Sequence, residues 1–279
     1  MDRSYETLAL ERVDDHVLVI RLNRPQAANA MNTRMGEELM DLFEGFQVDT
    51  EGLRALVLTG TGEKAFCAGG DLKERNGMTD EQWLRQHAMF ERMLRSIVGC
   101  PLPLIGAVNG AAYGGGCEIT SALDFAYAAE NARFALTEVT LGIMPGAGGT
   151  QNLPRAVGER RAKEIILTGL PFTATEACEW GLINRVLPQA ELMEATLCSG
   201  MTLGAPEISI AGLDELAATL ASFGATQLRG AKSRPSRKKE KDHAKQAKSK
   251  SRPTRSAVGA PKSAGSRGQQ CQRVRVKTH

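Results

Sequence analysis

The chain has 279 residues, 42% of them hydrophobic, enough to bury one sizeable core or two modest ones. It has no run of about 18 uncharged apolar residues, which argues against a membrane-spanning helix. Its net charge of +3 hides a division: residues 1–228 carry 18 Lys and Arg against 30 Asp and Glu, while Arg229 onward carries 17 against 2, an acidic body with a basic tail.

The opening "MDRSYETLALERVDDH" shows neither the apolar stretch of a secretory signal nor an Arg-rich, acid-poor transit pattern, so the expected location is the cytoplasm. "TLALER" and "HVLVIRL" flank Asp14 and Asp15 and predict a hairpin. Met35, Leu39, Leu42, Phe43 and Phe46 predict a helix from about Thr33 to Gln47, followed by the buried-strand run "ALVLTG". A second helix is predicted from near Thr79, where T-D-E-Q resembles a capping box, to about Val98. "PLIGAVNG" is a further short apolar strand ending in glycine. Strands alternating with helices predict an α/β domain whose sheet strands are largely buried.

The tail is rich in Lys, Arg, Ser, Pro and Gly and has almost no large apolar side chains, so it cannot offset its ordering entropy and is expected to be disordered. It has two readings, an arm for nucleic acid or anionic surfaces and a solvated tail; the lack of interleaved aromatics favours the second.

Cys67, Cys100, Cys117, Cys178, Cys198 and Cys271 form no C-x-x-C pair, so no metal site is expected, and they read as reduced small hydrophobes. Packing is also the favoured role for Cys67 and Cys117, which adjoin the glycine-rich stretches without a basic neighbour. His16, His87, His243 and His279 join no nucleophile in a recognisable motif.

Glycines cluster where the predicted strands end, in "CAGGDL", "YGGGCEIT" and "MPGAGGTQ". None fits G-x-G-x-x-G or G-x-x-x-x-G-K-[ST], which disfavours nicotinamide dehydrogenases and nucleotide hydrolases of the common kinds. A helix starting within Gly114 to Gly116 would present partnerless N–H groups at the positive end of its dipole, a place for a developing oxyanion. Glu118, three residues after Gly115, lies on nearly the same helical face. For "GAGGTQ" a tight turn before an "NLPRAVG" helix and a ligand contact are equally open.

Together these segments resemble the enoyl-CoA hydratase/isomerase (crotonase) superfamily, and within it the hydratases. The similarity runs from about Tyr5 to about Leu197 through "LNRPQAANAMN", "AFCAGGDLKE", "AVNGAAYGGGCEIT", "FALTEVTLGIMPGAGGTQNLPRAVG", "AKEIILTG" and "EACEWGLINRV". It implies a crotonase-like spiral of ββα units over residues 1–197, followed by a divergent segment over 198–228 and the basic tail over 229–279. It also implies hydration of a trans-2-enoyl-CoA to a 3-hydroxyacyl-CoA, as in fatty-acid or branched-acid catabolism, with no cofactor beyond the CoA thioester.

By motif position the resemblance implies Ala68 and Gly115 as oxyanion-hole donors. Glu138 is implied as the acid toward Cα, and Glu118 as the group that positions and deprotonates water. Gln26, Ala27 and Ala28, with Gly70, Asp71 and Leu72, are implied in CoA binding, and Trp83, Phe90 and Ile143 in the acyl pocket. Double-bond isomerases, acyl-CoA hydrolases and decarboxylases share the enolate chemistry, and "FCAGGDLKER" is also similar to the methylglutaconyl-CoA hydratase branch. An alternative of another class is an impaired enzyme that binds RNA or other anions through its tail, without sequence preference.

The family assembles as trimers or dimers of trimers through C-terminal helices. Beyond Leu197 the sequence offers only a short amphipathic stretch with Leu213, Leu216, Leu220 and Phe223. The usual assembly is therefore not expected of residues 198–279, and a shifted reading frame or a recombined end would give such a change of character.

Overall fold

The computed structural model describes residues 4–204; the amphipathic stretch around Leu213 and the basic tail lie outside them. Asp14 Oδ1 accepts from the N–H groups of His16 and Val17, both at 2.7 Å, and so closes the turn between β1 (Leu8–Arg12) and β2 (Val17–Leu22). These strands pair antiparallel with Leu10 opposite Ile20. The Asn32 side chain caps α1 (Thr33–Val48) by accepting from Met35 N–H. The predicted capping box is present, with the Thr79 and Gln82 side chains each accepting from the other's backbone at the start of α3 (Asp80–Val98).

From β3 (Ala55–Gly60) onward the chain repeats one unit three times. A strand enters a large sheet, the next strand enters a small one, and a helical segment follows. The pairs are β3 with β4 (Ala65–Cys67), β5 (Leu104–Val108) with β6 (Ala111–Tyr113), and β7 (Phe125–Ala129) with β8 (Arg133–Ala135). The short α2 (Leu72–Arg75) and α3 follow β4, α4 (Gly115–Ala122) follows β6, and α5 (Gly149–Val157) with α6 (Glu159–Thr168) follows β8. The chain then passes through β9 (Phe172–Thr173), α7 (Ala174–Glu179), β10 (Arg185–Leu187) and α8 (Leu192–Gly204). The large sheet has the order β1-β2-β3-β5-β7-β10 and the small one β4-β6-β8-β9. This is the spiral of ββα units that the resemblance implied.

Both faces of the large sheet are covered, as the parallel strands require. Leu18, Ile20, Leu22, Leu56 and Leu58 pack with Leu39, Phe43, Phe46, Met93 and Ile97 of α1 and α3. The alternate residues Val17, Val19 and Val57 pack on the opposite face with Ala107 and with Leu192 of α8. Helix α8 runs without a break across the boundary that the sequence reading sets at Leu197, and Leu197 and Leu203 pack against that second cluster. No helix among the described residues is long and apolar enough to cross a membrane.

Candidate active site

In the small sheet β4, β6 and β8 are parallel neighbours, so their carboxyl ends open side by side. The glycine turn 68–70 leaves β4, Gly114 and Gly115 leave β6, and Glu138 follows β8 at the start of a 3-10 turn, Glu138–Leu141. Ligands commonly bind beyond the carboxyl ends of parallel strands. Here three consecutive turns of the spiral deliver their loops to one place.

The glycines of "YGGGCE" answer separate demands. Gly114 sits at φ 49°, and a Cβ on it would lie 3.0 Å from Glu138 Oε1. A Cβ on Gly115 would meet Met31 Cε and approach Gly69 Cα to 3.6 Å. Gly116 packs against the backbone of Cys67, the last residue of β4. Cys67 and Cys117 are buried, and burial pushes the Cys67 thiol up to about 12 and Cys117 higher still, so neither is poised as a thiolate.

One implied donor needs correction. The N–H of Ala68 donates to Ala28 O at 3.1 Å and is therefore spent within the protein. Gly69 N–H donates to Cys67 Sγ, and Asp71 N–H to Met31 O. Gly70 remains: its N–H has no acceptor among the described residues, and its nitrogen lies 4.0 Å from where a Cβ on Gly115 would be. The N–H of Gly115, the first residue of α4, is equally without an acceptor there. Gly70 and Gly115 both border the cleft, so the pair of available donors is Gly70 with Gly115.

Glu118 is 3% exposed and lies one turn into α4. Its Oε1 accepts from Ala147 N–H and Gly149 N–H, both at 2.8 Å. Burial pushes its pKa up to about 7, with the Glu138 charge adding to the rise and the two backbone bonds and Arg75 opposing it. Glu138 is also raised, chiefly by burial, against its own backbone N–H and Arg75. Its Oε2 is buried with no hydrogen-bond partner among the described residues, on a side chain that lines the cleft.

The cleft has a volume of about 920 Å³, and both glutamates line it together with Trp83, Phe90 and Ile143, the residues implied for the acyl pocket. Trp83 stacks on His87 with ring centroids 5.1 Å apart. Among the described residues no group of His, Cys, Asp and Glu is placed to hold a metal ion.

A family model described as enoyl-CoA hydratase/isomerase matches residues 12–252. The chain belongs to this family. The match extends past Leu197 into the stretch held apart in the sequence reading and beyond the described residues. The chain is 37% identical over 208 residues to a crotonyl-CoA hydratase of Syntrophomonas wolfei, covering 74% of this chain and 79% of that one. It is 42% identical over 177 residues to a short-chain-enoyl-CoA hydratase of Clostridium acetobutylicum, covering 63% and 67%. A crystal structure of an enoyl-CoA hydratase from Bacillus anthracis matches with a TM-score of 0.69 at 43% identity, covering 71% of this chain and 76% of that one.

Within this hydratase/isomerase family member, the structure sets the two segments implied for CoA side by side. Gln26 and Ala28 are exposed on the turn after Arg24, and Leu72 is 56% exposed on α2. Asp71 has structural work: Oδ2 accepts from both terminal nitrogens of Arg24 at 3.0 and 2.9 Å, and Oδ1 caps α2. Ala27 lies between, inside the 3-10 turn Pro25–Ala27. The "GAGGTQ" stretch is both a tight turn, with Gly148 at φ 81°, and the holder of Glu118. That second role, and Arg75 on the cleft wall, went unseen in the sequence because the partners are distant along the chain.

Proposed function

We propose that this chain adds water across the C=C bond of a trans-2-enoyl-CoA, giving a 3-hydroxyacyl-CoA. The observation that carries the reading is the convergence of Glu118 and Glu138 on the cleft that also receives the unpartnered N–H groups of Gly70 and Gly115. Relatives named as crotonyl-CoA and short-chain-enoyl-CoA hydratases support it.

The thioester oxygen accepts from Gly70 and Gly115. Water lies between the carboxylates and gives a proton to Glu118 as its oxygen bonds to Cβ. The electron pair of the C=C bond moves through Cα toward the thioester oxygen, where each donor contributes about 3 to 4 kcal/mol. Glu138 delivers its proton to Cα as the enolate collapses, and transfer of one proton from Glu118 to Glu138 restores the pair. The net change is one water, and no cofactor enters the step. The adenosine end of CoA lies along Gln26–Ala28 and Gly70–Leu72.

Crotonyl-CoA and longer analogues test the reading through loss of enoyl-thioester absorbance, with mass spectrometry of the product. A gain of one water supports hydration; loss of CO2 or release of free CoA overturns it. Glu118→Gln and Glu138→Gln are each expected to lower kcat by about 10²- to 10⁴-fold with thioester binding largely kept.

A further inference from the structure

The Gly70 donor owes its direction to a bridge of two backbone bonds. Met31 N–H donates to Gly69 O at 2.8 Å, and Met31 O accepts from Asp71 N–H at 2.9 Å, so Met31 and Gly70 are partners in an isolated parallel bridge. In a parallel pair, a residue that bonds to both neighbours of its partner leaves the partner's own N–H pointing away from it. The Gly70 N–H is thus turned from the Met31 backbone, and Gly70 borders the cleft. An isolated bridge has no flanking ladder to hold it.

Arg24 grips both of its sides. One terminal nitrogen donates to Ala30 O at 2.6 Å, next to Met31, and both terminal nitrogens donate to Asp71 Oδ2 at 3.0 and 2.9 Å, next to Gly70. Asp71 Oδ1 accepts from the N–H groups of Lys73 and Glu74. The Arg24 and Asp71 side chains are only 17% and 12% exposed, so water screens the pair far less than an ion pair on the surface. Burial raises the Asp71 pKa, but the Arg24 bond, the N–H of Glu74 and the Arg24 charge outweigh it and hold the group below its ordinary value.

The base of this clamp is fixed as well. Arg24 N–H donates to Asn29 Oδ1 at 3.0 Å, and the fully buried Asn29 amide donates to Thr61 O and Ala65 O. Ala28 and Asn29 lie in the left-handed region, at φ 51° and 53°, which residues other than glycine keep where their surroundings enforce it. The same kink carries the Ala28 carbonyl that consumes the Ala68 N–H.

We propose that Arg24, acting through Asp71, is a positioning residue that aims the Gly70 N–H at the thioester oxygen. It touches no reacting atom. Without the guanidinium, a mostly buried carboxylate loses its counter-ion and turns toward water, drawing the adjoining Gly70 out of line. The inference rests on the hydratase reading for the role of that donor.

Butyryl-CoA carrying carbon-13 at the thioester carbonyl probes the donors without turnover, because polarising a C=O bond lowers its stretching frequency. Difference infrared spectra are taken on saturated complexes of the full chain, with calorimetry for affinity and crotonyl-CoA hydration for kcat. The wild type is expected to lower the frequency on binding. Arg24→Met is expected to lose at least about half of that shift and about 10- to 10²-fold in kcat, with the dissociation constant changed less than about threefold. Arg24→Lys is expected to recover part of both. An Arg24→Met complex with the full wild-type shift overturns the proposal, and weaker binding alongside it would mean that Arg24 serves only the Gln26–Ala28 turn. Asp71→Asn, which keeps the side chain's shape and an oxygen for the α2 cap, takes its place if Arg24→Met does not fold, and a full shift there is equally fatal. So is a wild type that binds butyryl-CoA with no shift. A wild type that shows the shift yet hydrates no enoyl-CoA sinks hydration alone, and the spectra of the variants still decide the role of Arg24.

Discussion

Gly149 places its backbone N–H 2.8 Å from Glu118 Oε1, at the first turn of α5, and a Cβ on that glycine would lie 2.9 Å from the same oxygen and from Glu118 Cγ. The close approach that forms the hydrogen bond therefore also excludes any side chain. Gly149→Ala is expected to push the carboxylate aside and weaken the bonds from both Gly149 and Ala147. A displacement of about 1 Å in a positioned group costs on the order of 10²-fold. The expected result is a fall of that size in kcat with thioester affinity nearly kept, measured by steady-state hydration kinetics and calorimetry.

The elevated Glu118 sets a pH dependence. As the group that takes a proton from water it must be ionised, so kcat/KM, which follows the free enzyme, is expected to decline as pH falls below about 7. Stability runs the other way. The folded pKa of about 7 exceeds the ordinary value of 4.5, so the folded state holds the proton more tightly and loses relative stability as pH rises between those values. Glu118→Gln keeps an oxygen for both N–H groups and removes the buried charge. It is expected to be more stable than the wild type at pH 8, by on the order of 3 kcal/mol at most, with the gap closing near pH 4.5. Urea melts at the two pH values measure this.

Local patterns made the hairpin, α1, β3 and α3 legible, because turn chemistry, capping residues and apolar period act over a few residues. Gly115 and Glu118 were legible for the same reason, as one helix start presents both. The choice of Gly70 over Ala68 was not, since it depends on which N–H the 28–31 segment consumes, and that pairing joins chain segments far apart. Gly69, at φ 89°, turns the chain between the two, and nothing in "CAGGD" says which way the next N–H points. Arg75 escaped likewise: in sequence it is one more charge after a capping Asp, and only Gln86 and Phe90 from α3 bring it to the cleft wall.

Glu38, on α1, is a buried anchor of the chain's start. Its carboxylate accepts from Glu6 N–H and Thr7 N–H, both at 2.8 Å, and from Thr7 Oγ1 at 2.5 Å, and it pairs with Arg34 at 2.9 Å. Burial raises its pKa, but the bonds from Thr7 and Glu6 and the Arg34 charge outweigh that and hold it below 4.5. Glu38→Ala strands the buried N–H and hydroxyl of Thr7 and is expected to cost about 2 to 4 kcal/mol in urea unfolding at neutral pH. Because the folded pKa is depressed, the carboxylate's contribution is complete above 4.5 and fades as pH falls through the folded value. The deficit of the variant should therefore narrow in acid.

Gly116 and Gly77 give opposite expectations for the same substitution. A Cβ on Gly116 would collide with the carbonyl oxygen of Cys67 and lie 2.9 Å from its carbonyl carbon, and these are backbone atoms of β4. Neither can yield without moving the strand that leads to the Gly70 turn, because β4 and β6 are paired. Gly116→Ala is therefore expected to destabilise by about 3 kcal/mol or more, beyond the usual cost of overpacking, and to abolish activity even where the chain still folds. Gly77, between α2 and α3, has no atom within 4 Å of its would-be Cβ and no left-handed backbone to forbid a side chain. Gly77→Ala is expected to be neutral or to stabilise by about 0.4 to 1 kcal/mol, by restricting the unfolded chain. Thermal melts of the two variants beside the wild type check both. An unaffected Gly116→Ala protein would mean that α4 and β4 are less closely packed than the structure shows.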